Sequence, residues 1–185
     1  MAFGFEEQAS DIVEGVVAFV PSIGSDSRGD IWTSFEQESM ESYLPQSLNF
    51  KHDKFSQSKE NVLRGVHGDV KSWKLVTCVF GEIFQVVVDL RKGSPTFGNW
   101  QSYVINKEQQ KMVLIPPGCG NAYYVKQGPA VYHYKLAYPG EYLDADDQFS
   151  VRWDDPELAI EWPVEKPILS FRDIEAPLLK VSGLI

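Results

Sequence analysis

Trp73-Lys74-Leu75-Val76-Thr77-Cys78-Val79-Phe80-Gly81-Glu82-Ile83-Phe84-Gln85-Val86-Val87-Val88-Asp89-Leu90 is the stretch on which the fold turns. Val, Ile and Phe crowd both sides of Gly81-Glu82. That pattern predicts two strands, Trp73 to Val79 and Ile83 to Leu90, with a hairpin turn between them. Working outward, Gln101 to Ile105, Lys111 to Ile115, Ala122 to Val125 and Ala130 to Ala137 are further short strand candidates, each bounded by Gly, Pro, Asn or a charge cluster. A helix is expected only near Ser34 to Tyr43. Strands at this spacing predict an all-β protein, a sandwich or barrel of antiparallel strands whose natural closed form is a jelly roll.

The 185 residues carry no repeat, low-complexity tract or Pro/Ser-rich linker, so residues 1–185 read as one domain. With 43% hydrophobic and 23% charged residues the chain can bury an ordinary core. Seventeen Lys and Arg stand against 26 Asp and Glu, a net charge of −9. That balance argues against a nucleic-acid duplex or an anionic membrane as partner, yet permits a small phosphorylated ligand held by a few local cations. Cys78 and Cys119 form no CxxC pair, which suits a reducing compartment and predicts a cytoplasmic protein. The first residues carry acids and no Lys or Arg before their apolar stretch, unlike a secretory signal, and no apolar run is long enough to span a bilayer.

Alternation assigns faces within Val131-Tyr132-His133-Tyr134-Lys135-Leu136. Tyr132, Tyr134 and Leu136 share one side, expected to face the interior, and Val131, His133 and Lys135 the other. A phenol on the inner side must meet a polar partner or a reactant. Arg64-Gly65-Val66-His67, after the polar run from Ser56 to Asn61, precedes Lys74 at the head of the next strand. One reading makes Arg64 an anion clamp, His67 a general base and Lys74 an oxyanion stabiliser. The plain alternative is a capped or surface histidine after a glycine turn. Asp26-Ser27-Arg28-Gly29 reads as a turn carrying a cation, and Asp173 as either a partner for an imidazole or a helix-start residue. Three histidines in unrelated contexts do not suggest a metal centre, because His67 is followed by Gly68-Asp69 and not by a His-x-His pair.

In order and spacing these pieces resemble the dTDP-4-dehydrorhamnose 3,5-epimerase family over nearly the whole chain. The matching text includes Asp26-Ser27-Arg28-Gly29, Asn61-Val62-Leu63-Arg64-Gly65-Val66-His67, Gly81 to Arg91, Gly93-Ser94-Pro95-Thr96-Phe97-Gly98-Asn99-Trp100, Ile115-Pro116-Pro117-Gly118, Tyr134-Lys135 and Leu169-Ser170-Phe171-Arg172-Asp173. The resemblance implies a double-stranded β-helix jelly roll (cupin-like) with few short helices, a homodimer, no metal or organic cofactor, and a nucleotide-diphosphate sugar as substrate. It implies His67 as base, Asp173 as its carboxylate, Tyr134 as acid and Lys74 as the lysine near the ketone. Arg28 and Arg64 match residues that hold the diphosphate. Arg172, Ser56, Asn121, Tyr132 and His52 complete the expected substrate wall. A 3,4-ketoisomerase and a catalytically silent sugar-nucleotide-binding jelly roll are the alternatives on the same fold.

The chain departs from the family pattern in substrate-facing segments. Thr33 replaces an acid, His52-Asp53-Lys54 replaces Gln-Asp-Asn, Asn121 replaces a histidine, and the segment Ala137 to Asp144 is extended. These segments are similar to a subgroup acting on GDP-linked 4-keto-6-deoxyheptoses in capsule heptose biosynthesis. The expectation drawn from them is a GDP-heptose substrate, with dTDP-4-dehydrorhamnose as the alternative.

Overall fold

In the computed structural model, which describes residues 4–184, the stretch from Trp73 to Asp89 is one continuous strand and not a hairpin. Gly81 has a φ of +87°, and a Cβ there would lie 2.8 Å from the Ala130 Cα and from the carbonyl oxygens of Gln127 and Pro129. The glycine therefore serves a close approach of two backbones, which is the other reason a strand carries one. Ala122 to Val125 and Ala130 to Ala137 likewise merge into a single strand, Cys119–Ala137.

In chain order the strands are β1 (Phe5–Ala9), β2 (Val17–Pro21), β3 (Gly24–Asp26), β4 (Gly29–Ile31), β5 (His52–Ser58) and β6 (Leu63–Gly68). They continue with β7 (Trp73–Asp89), β8 (Trp100–Ile105), β9 (Met112–Ile115), β10 (Cys119–Ala137) and β11 (Phe149–Ser150). The helices are α1 (Gln37–Glu41) and α2 (Phe171–Ile174). α1 is shorter than Ser34 to Tyr43 because the Glu36 carboxylate accepts the backbone N–H groups of Glu38 and Ser39 and so sets its start. Its Met40 is fully buried, which stabilises by about 2 kcal/mol.

β7 and β10 pair antiparallel along nearly their whole length, with register shifts between Val125 and Tyr132. Those irregularities bend the ribbon, so each half of each strand finds a different outer neighbour. Lys74 to Val76 of β7 pair with β9, and Ile83 to Val88 with β8. Asn121 to Tyr124 of β10 pair with β6, and Ala130 to Leu136 with β5. Two sheets thus share the long strands, β1-β2-β9-β7-β10-β5 on one side and β8-β7-β10-β6-β11 on the other, the jelly roll expected from sequence. Val76, Cys78, Ile83, Val87, Ile115, Val125 and Tyr132 fill the space between them.

Two connections fix the ends of the roll. Buried Asp89 accepts hydrogen bonds from Arg91, Ser94 and Thr96, which accounts for the Gly93-Ser94-Pro95-Thr96 text as a turn. At the C-terminal side the Ile168 N–H donates to the Asn61 carbonyl at 2.7 Å, and the Leu63 N–H donates to the Ile168 carbonyl at 3.0 Å. This lays the segment before α2 alongside the start of β6 and brings Asp173 to His67.

Candidate active site

An open cavity of about 300 Å³ lies between the sheets, walled by β5, β6, β7, β10 and the segment that carries α2. The strand's two faces separate as alternation predicts. Tyr132, Tyr134 and Leu136 line the cavity, while His133 and Lys135 point outward, each 2.8 Å from Asp53.

His67 comes from β6. Its Nε2 lies 2.8 Å from Asp173 Oδ1, in a geometry short of a linear hydrogen bond. The contact leaves Nδ1 as the other ring nitrogen. Asp173 is held from several sides: Ser170 Oγ donates to it at 2.5 Å, and the Gly65 N–H at 3.2 Å. It is at once the third residue of α2, in a capping box with Ser170, and the neighbour of the imidazole, so both sequence readings of Asp173 apply. Burial works to raise its carboxyl, but His67, Ser170 and the Gly65 N–H outweigh it and hold Asp173 below the usual carboxylate range, ionised at neutral pH. Gly65 itself lets β6 lie close against β10. Its φ is +122°, and a Cβ would sit 2.6 Å from the Ala122 Cα and 2.7 Å from the Asn121 carbonyl.

Lys74, at the head of β7, is nearly buried and sits 3.3 Å from Asp69 Oδ2, whose side chain is fully enclosed. Burial pushes the Lys74 ammonium down, and the Asp69 carboxylate opposes that. The two phenols divide by environment. Tyr132 is enclosed, with its hydroxyl 2.9 Å from Gln85 Oε1 and 3.2 Å from Asn121 Oδ1. Tyr134 is half-buried and borders the cavity.

Arg64 reaches the cavity wall with its Nε donating to Ser58 Oγ at 2.9 Å, while the Tyr123 hydroxyl bridges Ser58 and Ser56. Stacking at 4.2 Å between the Tyr123 and Tyr132 rings stiffens the same wall. Arg172 donates from Nε to Ser150 Oγ at 3.0 Å, and its buried Nη2 has no protein partner among the described residues, a donor left for an anion.

Of the residues expected at the site, the cavity gathers His67, Asp173, Lys74, Tyr134, Tyr132, Arg64, Arg172, Asn121 and Ser56. Arg28 is not among them. It stands on the β3–β4 hairpin with an 88% exposed side chain, paired to Asp26 at 2.5 Å, because the hairpin forms its own two-stranded sheet away from the roll. His52 also falls outside the lining. It packs edge-on against Tyr138 and Tyr142, and its Nδ1 lies 3.2 Å from the Tyr138 hydroxyl. The three histidines therefore have separate neighbours, and among the described residues no group of three His, Cys, Asp or Glu is arranged to hold a metal ion. Among the described residues no helix is long and apolar enough to cross a membrane.

Sequence reasoning left out Lys54, Tyr142, Asp144 and Tyr123 on the wall, and Asp69 behind it. The departures at His52-Asp53-Lys54 and in the extended segment to Asp144 were the signal for the first three.

Proton transfer is the chemistry such a wall serves, and together with the fold it defines an acid–base enzyme built on a jelly roll. Residues 11–181 match the model of the dTDP-4-dehydrorhamnose 3,5-epimerase family. The chain is 36% identical over 171 residues to dTDP-4-dehydrorhamnose 3,5-epimerase of Salmonella typhimurium, covering 90% of this chain and 92% of that one. It is 35% identical over 170 residues to dTDP-4-dehydrorhamnose 3-epimerase of Streptomyces niveus, covering 90% and 81%. Among solved structures, dTDP-6-deoxy-D-glucose-3,5-epimerase of Legionella pneumophila in complex with dTDP-4-keto-L-rhamnose superposes with a TM-score of 0.86 at 34% identity, covering 96% and 94%. The chain belongs to the dTDP-4-dehydrorhamnose 3,5-epimerase family and is a nucleotide-sugar epimerase. The relatives are dTDP-sugar epimerases, so they support the family but not the expected GDP-heptose subgroup.

Proposed function

We propose that the protein inverts C3 and C5 of a dTDP-linked 4-keto-6-deoxyhexose. The observation that carries this reading is the 2.8 Å contact of His67 with Asp173 in a cavity that Lys74 and Tyr134 also line. A C–H bond beside a ketone gives up its proton only if the enolate oxygen is stabilised, and the Lys74 ammonium is the cation suited to that. Neutral His67 takes the proton and Asp173 steadies the imidazolium that forms. Tyr134 returns a proton to the opposite face, which inverts the carbon. Arg64 and Arg172 hold the diphosphate, and Ser56 and Asn121 contact the sugar. A ketoisomerase needs a base but no opposite-face acid, and a silent binding module needs neither, so the full set favours epimerisation. The dTDP-linked substrate is supported by the names of the relatives.

A second reading, a GDP-linked 4-keto-6-deoxyheptose, is favoured by Lys54 and Asn121, which stand on the cavity wall at positions departing from the family pattern. Incubation of both substrates in D2O, followed by NMR, separates the two. We expect deuterium at C3 and C5 of the dTDP sugar. Label at C3 alone makes the protein a 3-epimerase, turnover of the GDP sugar alone selects the second reading, and no exchange with either overturns the enzyme reading.

A homodimer completes the proposal. Ile31, Phe55 and Phe80 are exposed apolar groups suited to a second copy, and Arg28 serves the diphosphate only if a dimer carries it to the other pocket. Light scattering on the eluted protein should give twice the 20.9 kDa chain mass. A monomer at micromolar concentration would overturn this assembly.

A further inference from the structure

Lys54 enters the cavity from β5 and has no part in the proton transfers above. Its side chain is 33% exposed, and its Nζ lies 3.3 Å from the Tyr142 hydroxyl and 3.8 Å from Asp144 Oδ1. The same Nζ is 4.8 Å from the Tyr142 ring centroid and 5.9 Å from that of Tyr134. Tyr142 and Asp144 belong to residues 138–148, the connection between β10 and β11, which also contributes Gln148 to the cavity wall. Two other lysines tether this connection: Lys71 Nζ donates to the Glu141 carbonyl at 2.5 Å, and Lys51 Nζ to the Gly140 carbonyl at 3.3 Å. Residues 144–147 are exposed, so polar contacts at its base carry much of its placement. Of the three lysines, only Lys54 also lines the cavity and meets Tyr134.

We propose that Lys54 is a positioning residue that couples this loop to the acid: its ammonium, shared among Tyr142, Asp144 and the Tyr134 ring, seats the loop over the cavity and stabilises the negative charge that develops on the Tyr134 oxygen as its proton leaves. The inference rests on the reading of Tyr134 as the acid. Burial pushes the Tyr134 phenol up; Lys54 and Arg64 oppose this, while Tyr142 and Tyr123 add to it. Tyr132, His67, Asp173, Lys74, Arg172 and Asp144 are the other charged or titratable groups on the same cavity wall. Lys54 itself is partly desolvated, but Tyr142, Tyr134 and Asp144 more than compensate and raise it above the usual lysine range, so it is cationic throughout the working range. A nearby cation favours the ionised phenol, so without it Tyr134 holds its proton more tightly and donates it more slowly. A lysine that merely bridges surface groups would leave Tyr134 untouched.

The test compares Lys54→Met with Lys54→Arg in the full chain. In Lys54→Met, inversion should slow about 10-fold while deuterium exchange at the carbon stays within about 3-fold, because His67 is unaffected. The alkaline limb of the inversion rate should move up by about half a pH unit or more, and Lys54→Arg should restore it. Titration of tyrosinate absorbance without substrate, with Tyr134→Phe as the subtraction, should show the same displacement. If Lys54→Met moves neither the limb nor that titration, the coupling is overturned. If Tyr134→Phe inverts substrate at the full rate, it is the reading of Tyr134 that fails, and the two failures are told apart by that single variant.

Discussion

In His67→Asn, deuterium exchange at C3 and C5 falls to the solvent background, a loss of at least about 10²- to 10⁴-fold for removal of a general base. Both positions should fall together if, as proposed, one imidazole serves both carbons. Asparagine keeps a polar side chain beside the carboxylate, and Asp173 retains its bonds from Ser170 and the Gly65 N–H, so α2 stays capped. The melting temperature should therefore change by only a few degrees. Loss of exchange in a folded variant then reports on the base and not on the scaffold. Wild-type exchange in folded His67→Asn would remove His67 from that role.

Period-two alternation placed Tyr132, Tyr134 and Leu136 on the cavity wall and His133 and Lys135 outside it, because a strand has only two faces. The same local reasoning misjudged Gly81. A glycine between two β-rich runs looks the same whether it turns the chain or lets a neighbouring strand come close, and only the position of Ala130 and Gln127 across from it decides. Asp173 was readable locally as an imidazole partner or a helix-start residue, but its pairing with His67 came from resemblance: more than a hundred residues separate the two, and the backbone bonds of Ile168 and Leu63 that close this distance leave no local pattern. Arg28 shows the reverse case, a matching motif that the single chain holds in a separate hairpin. Lys54 was visible as a departure from the family pattern, yet its contacts with Tyr142 and Asp144 depend on a loop that returns from beyond β10.

Lys74→Met should cost both stability and rate, and the two losses can be separated. Asp69 is fully enclosed; its Oδ1 accepts the backbone N–H groups of Lys71 and Ser72 at 3.0 and 2.6 Å, and its Oδ2 faces the Lys74 ammonium at 3.3 Å. Removing the cation strands a buried carboxylate, a change that costs about 3–5 kcal/mol in comparable pairs. If the ammonium also stabilises the enolate, its loss lowers kcat by about 10²- to 10³-fold, the range for one oxyanion donor. Adding Asp69→Asn removes the stranded charge while the amide oxygen still accepts the Lys71 and Ser72 N–H groups. The double variant should thus regain most of the lost stability in urea unfolding and none of the lost rate. Recovery of rate together with stability would make Lys74 a structural partner of Asp69 and take it out of the chemistry. An unchanged stability in the single variant would instead show that Asp69 finds compensation elsewhere, and the argument from the buried pair would fall. The distinction matters because Lys74 begins the same strand whose bent pairing with β10 shapes the cavity, so only a variant that preserves the strand can reveal what its charge does there.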